Sequence, residues 1–195
     1  MQVIDERKRA KILSAAAGLF ATQPFHKVLL SDVAKAAEVG KGTLYIYFNS
    51  KEDLYISVLY NGFSRLVDRL RERIDEDTHS PAENLEMVIR EMVNFAYQNP
   101  HLFELIRTIP VWKAIDRAKW DAKRTELKDM IESIIRQGIA LGIFIDSHPE
   151  FTARYIPGFI RSVLLEGTET VDREVLIDHI LNFVKAAITV KEKVC

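Results

Sequence analysis

Cysteine is nearly absent from this chain: there is one, Cys195, in 195 residues. Without an intrachain partner it can close no disulfide, so the fold has to stand on its core, and a reducing, cytoplasmic setting is expected. Glycine and proline are sparse, eight and six, and they gather into no Gly-, Pro- or Ser-rich linker. No internal repeat or low-complexity tract is present. No window approaches the roughly 20 apolar residues that a membrane span needs. The basic Arg7-Lys8-Arg9 followed by an apolar stretch is a weak imitation of a secretory leader. Asp5 and Glu6 precede the bases, and Ile12, Ala16, Leu19 and Phe20 recur at the spacing of one helical face, so the segment reads as an amphipathic helix. An excess of one charge is missing too, with 27 Lys+Arg against 28 Asp+Glu. Residues 1–65 alone hold nine basic against six acidic side chains, a modest surplus that suits phosphates without demanding them.

The marks of catalysis are also lacking. Five histidines, His26, His79, His101, His148 and His179, form no H-E-x-x-H pair, and no Gly-rich phosphate loop occurs. No metal, no cofactor and no enzymatic activity are expected. A helical protein-interaction module is the other class that the composition allows.

What is present is helical periodicity. The 48% hydrophobic content can fill a sizeable core, and the apolar residues recur at three- and four-residue intervals, with no β-branched alternation long enough for a strand. The pattern predicts helices over about 5–22, 31–37, 42–47, 51–76, 81–98, 101–107, 113–141, 149–167 and 172–191. Three of them open on a serine with an acid three residues later, Ser50 with Asp53, Ser80 with Glu83 and Ser147 with Glu150, the pattern of a hydroxyl capping a free N–H. The fold class is therefore all-α, with the long helix from Lys51 passing from an N-terminal unit into the rest.

The most informative stretch is SDVAKAAEVGKGTLYIYFNSK, residues 31–51. Two short helices flank a tight turn at Glu38-Val39-Gly40, as a helix-turn-helix requires. Leu44 and Phe48, four apart, anchor the second helix from beneath. Lys41, Gly42, Thr43, Tyr45, Ile46 and Tyr47 are left to outward and flanking directions. Lys41 and Lys51 bracket the unit as phosphate partners, Tyr47 offers a phenolic donor, and Gly42 lets the backbone come close to DNA. For Arg7-Lys8-Arg9, contact with DNA and a solvated helix start both remain open.

These residues, with ILSAAAGLF before them and the run GTLYIYFNSKEDL, closely resemble the DNA-binding domain of TetR-type regulators, over about residues 6–66. Two positions depart from that pattern. Glu38 stands where glycine is usual, so the turn has to accept a side chain at whatever backbone angles it adopts. Leu29 stands where a capping threonine is usual, leaving Ser31 to supply part of the cap. The resemblance implies a motif over about 29–48 within a domain spanning 6–66. It places Lys41, Gly42, Thr43, Tyr45 and Tyr47 at or near double-stranded operator DNA, with Ser31 and Lys51 at flanking phosphates. Thr43 and Tyr45 are the expected base-edge contacts.

The resemblance assigns residues 67–195 to an effector-binding and dimerisation domain. Physical reading adds detail. The last helix has an apolar stripe, from Leu176 to Ile188, too broad for one-sided burial, and the preceding helix carries Phe151, Tyr155, Phe159, Val163 and Leu164. The pair is expected to meet its symmetry mate in a four-helix bundle, giving a homodimer, unless the two form an intrachain hairpin. Phe95, Phe103, Trp112, Trp120, Tyr155 and Phe159 are candidate walls for a small apolar or amphipathic effector, with Arg161 (and less so Arg107 and Glu166) as a polar contact; a plain packed core is the competing reading for each. Pro157-Gly158 is expected to kink its helix and open space beside Tyr155 and Phe159.

Overall fold

The computed structural model describes residues 5–74, 78–99, 117–164 and 171–189. Among them are eight α-helices: α1 (Glu6–Thr22), α2 (Leu30–Ala36), α3 (Lys41–Tyr47), α4 (Lys51–Arg73), α5 (Pro81–Gln98), α6 (Arg117–Ala140), α7 (Pro149–Leu164) and α8 (Arg173–Ile188), with one 3-10 turn at Phe25–Lys27. The described residues contain no strand, only an isolated bridge between Phe144 and Thr189. The chain is all-α, as expected. The helix expected over 101–107 lies outside the described residues. No helix among them is long and apolar enough to cross a membrane.

Local chemistry fixes most helix starts. Asp5 caps α1 by accepting from the backbone N–H of Arg7 and Lys8. At α4 the Ser50 hydroxyl accepts from Asp53 N at 3.1 Å. At α5 the box is reciprocal, with Ser80 N donating to Glu83 Oε2 at 2.8 Å and Glu83 N donating to Ser80 Oγ at 3.3 Å. The third expected box is built differently. Helix α7 begins at Pro149, and Asp146 accepts from His148 N and from Thr152 Oγ1, so Asp146 holds this start in place of Ser147.

Two compact units divide the chain, and α4 contributes to both: its residues through Arg65 belong to the first and those from Leu66 to the second. In the first unit α1 packs on α2 and α2 on α3. Ile12, Leu13, Ala16 and Phe20 of α1 enclose, with Val33, Ala34, Leu44, Phe48, Leu54 and Tyr55, a core from which water is excluded. The Tyr55 ring meets Phe20 edge-on at 4.8 Å and Phe25 at 5.2 Å, the arrangement that aromatic quadrupoles favour. Trp120, at the start of α6, closes the unit by stacking on Phe63. The second unit buries one stripe from each of its helices, including Val88, Ile89 and Val93 of α5, Ile131, Ile134 and Ile135 of α6, Ala153, Ile156 and Ile160 of α7, and Ile177, Ile180 and Val184 of α8.

Candidate nucleic-acid interface

The turn between α2 and α3 is a helix stop followed at once by a helix start. Val39 N donates to Ala34 O at 2.9 Å and Glu38 N to Lys35 O at 3.1 Å, the two bonds that terminate a helix when the next residue turns left-handed. That residue is Glu38, at φ 51°, the only non-glycine with positive φ among the described residues. Its carboxylate bonds to Lys11 Nζ at 2.5 Å, and this partner holds the carboxyl below its ordinary value. The side chain at a glycine-favouring position is thus tied back to α1. Gly40 then resumes an extended backbone and opens α3. The expected help from Ser31 is not realised: Leu29 is the N-cap of α2 and no side chain bonds there, while Ser31 is exposed.

Helix α3 is anchored on one side only. Leu44 is fully buried and Phe48 nearly so, while Tyr45 and Ile46 are each 49% exposed. Lys41 and Gly42 are exposed and Thr43 is half-buried. A Cβ added at Gly42 would meet nothing within 4 Å. The outward face thus offers an ammonium, bare backbone and two hydroxyls, on a helix whose position is fixed from beneath. That combination fits a groove lined by base edges and phosphates.

Two expected phosphate partners have further roles. Tyr47 is half-buried, and its hydroxyl accepts from Asp5 N at 3.2 Å. This pins the start of α1 to the end of α3, and because the phenol oxygen accepts here, its O–H is not used in this bond. The Lys51 ammonium lies 4.3 Å from the Phe25 ring centre, a cation–π contact that ties the start of α4 to the 3-10 turn. Arg9, undecided in the sequence, places its guanidinium 5.7 Å from the centre of the Phe48 ring, at the C-terminal end of α3. Nothing in local periodicity signals this, because α1 and α3 meet only through tertiary packing.

The family model of bacterial regulatory proteins, tetR family, matches residues 12–58, the segment containing this turn and its anchors. The model of the tetracyclin repressor-like C-terminal domain matches residues 78–165. Together they span well over half of the chain. The protein belongs to the TetR family. It is therefore a transcriptional regulator with a helix-turn-helix DNA-binding domain and a C-terminal ligand-binding domain. Among its relatives, the fatty acid metabolism regulator protein of Bacillus subtilis is 35% identical over 82 residues, 42% of each chain. The chain thus spans about two-fifths of that relative's length. The nucleoid occlusion factor SlmA of Marinomonas sp. is 25% identical over 161 residues, 79% of this chain and 81% of its own. The crystal structure of the transcriptional regulator FadR from Bacillus subtilis in complex with stearoyl-CoA shares the fold, with a TM-score of 0.69 at 22% identity, covering 90% of this chain and 97% of that one.

Among the described effector candidates of this TetR-family chain, Tyr155 and Phe159 are brought side by side. Phe95 is half-buried on α5. Phe103 and Trp112 lie outside the described residues, as do Arg107 and Glu166. Trp120 belongs to the N-terminal unit, where it stacks on Phe63 at 5.7 Å and meets Tyr60 edge-on at 5.6 Å. Tyr155, Phe159 and Arg161 are exposed on α7. The reason is continuity. The helix runs unbroken through Pro157, so the 3.6-residue period turns Ala153, Ile156, Ile160 and Leu164 inward and the other stripe outward. Tyr155 and Phe159 are thereby turned away from the buried stripe of α7. With Phe151 and Phe183 they form an exposed aromatic row, with Phe151 and Tyr155 centres 6.4 Å apart, Tyr155 and Phe159 6.2 Å, and Phe159 and Phe183 of α8 5.1 Å.

Proposed function

We propose that the protein is an effector-responsive repressor that binds a palindromic operator as a homodimer, one α3 in each of two successive major grooves. The observation that carries this reading is the one-sided anchoring of α3: Leu44 and Phe48 in the core, with Lys41, Gly42, Thr43 and Tyr45 outward. Thr43 and Tyr45 contact base edges, Lys41 and Gly42 approach the backbone, and Ser31, Tyr47 and Lys51 position the domain on flanking phosphates. Residues 6–66 form the DNA-binding domain and 67–195 the effector and dimerisation domain, acting in the cytoplasm.

The aromatic row on α7 and α8 supports the dimer. Phe151, Tyr155, Phe159 and Phe183 are between 37% and 55% exposed and lie next to one another, a contiguous apolar surface of the kind that marks an interface. Two copies brought together along it form a four-helix bundle. The effector is an amphipathic molecule with an acyl chain. This choice rests on the likeness to the fatty acid metabolism regulator of Bacillus subtilis and to the Bacillus subtilis FadR crystallised with stearoyl-CoA, and on the apolar character of the second unit's helices. Binding favours the DNA-free arrangement by about 1–3 kcal/mol, the usual range of such coupling, with α4, common to both domains, as the element biased between two states.

Selection of genomic fragments on the purified protein, followed by titration of the recovered site, tests the reading. A palindrome whose binding collapses in Thr43→Ala and Tyr45→Ala and weakens on addition of stearoyl-CoA is the expected result. A folded dimer that enriches no fragment would overturn it in favour of a protein-interaction module. Binding untouched by any acyl-CoA would remove the effector assignment alone.

A further inference from the structure

Ile46 is the one side chain on the outward face of α3 with no polar group to offer. It is 49% exposed in a seven-residue helix whose other outward positions carry an ammonium, hydroxyls or, at Gly42, no side chain. Isoleucine is a mediocre helix former and here fills no core, so neither local stability nor burial accounts for it. A lone exposed aliphatic residue is ordinary; the position is what makes this one informative. Ile46 follows Gly42 by four residues and shares its face. A helical side chain leans over the turn that precedes it, and at Gly42 that turn is bare, since a Cβ there would meet nothing within 4 Å. The surface is a branched apolar group on the same helical face as exposed backbone.

In a major groove, hydroxyl and ammonium groups find base-edge or phosphate partners. A branched alkyl group has one chemical counterpart there, the C5-methyl of thymine. We propose that Ile46 reads a thymine in each half-site through that methyl group. The inference rests on α3 being the groove-binding helix, as argued above, and adds a specificity residue to it.

Deoxyuridine supplies the test, because it keeps every hydrogen-bonding group of thymine and lacks only the methyl. Each thymine of the recovered operator is replaced in turn, symmetrically in both half-sites, and affinities are measured for the native protein, Ile46→Ala and Ile46→Val. At one symmetric pair the native protein is expected to weaken about fourfold per half-site, about fifteenfold for the pair, as loss of one buried methyl implies. Ile46→Ala, already weaker on thymine, shows no further loss at that pair, and Ile46→Val retains most of the discrimination. Three results would overturn the assignment: no thymine whose replacement weakens the native protein, an equal loss at the same pair in Ile46→Ala, or a half-site without thymine. Failure to recover any operator is a different outcome, one that removes the DNA-binding reading on which the inference stands.

Discussion

Replacing Gly42 with alanine separates the stability of the N-terminal unit from its use. Gly42 is the second residue of α3 and its missing Cβ points into open space. Alanine is better than glycine by about 1 kcal/mol in a helix interior, and near a helix start about half of that is expected. Unfolding in urea, followed by circular dichroism, should therefore show Gly42→Ala to be as stable as the native protein or up to about 1 kcal/mol more so. Binding should move the other way. A methyl inserted into a close-packed contact costs about 1–3 kcal/mol, and a dimer meets it twice. The lower bound of about 2 kcal/mol corresponds to a fall in operator affinity of about 30-fold, readable by fluorescence anisotropy. Unchanged affinity in a variant of undiminished stability would refute close approach of the backbone to DNA at this position. A marked loss of stability would refute the open space.

The remaining expectations concern the scaffold and the dimer. Leu29→Thr supplies the hydroxyl that the start of α2 lacks and should raise stability by about 1 kcal/mol, measured by the same urea titration. Gly138→Ala should destabilise by about 1–3 kcal/mol despite alanine's better helix propensity, because the buried ring of Phe144 occupies the place of the new Cβ; an unaltered urea midpoint would show that the ring moves freely. Tyr155→Glu, exposed in the single chain, should leave its fold intact but bring a carboxylate twice into the interface proposed along the aromatic row, weakening dimerisation at least tenfold by sedimentation; a dimer of undiminished strength places the interface elsewhere. Glu83 is held below its ordinary carboxylate value by the Ser80 hydroxyl and backbone N–H. A carboxyl lowered in the folded state contributes stability that is fully present above its unfolded pKa and is lost as pH falls through the folded value. Glu83→Gln should therefore flatten part of the acid limb of stability against pH, below the ordinary carboxylate range, and an unchanged limb would deny the capping box that role.

Much was determined by the sequence itself wherever a short stretch of chain holds all the groups concerned. The start of α5 needs only Ser80 and Glu83, three residues apart. The anchoring of α3 needs only Leu44 and Phe48 at the spacing of one helical turn, and the left-handed turn residue follows from having to stop one helix and start another within three positions. Tertiary structure decided the rest. Lys51 over Phe25, Arg9 over Phe48 and Tyr47 bonded to Asp5 join residues from different helices, and no periodicity within one helix encodes which neighbour it will meet. Tyr155 and Phe159 make the point most sharply. Their aromatic character is equally suited to a ligand wall or to a subunit interface. Which of two apolar stripes on α7 faces the core is set by the packing of Ala153, Ile156 and Ile160 in the second unit, and it leaves Tyr155 and Phe159 exposed.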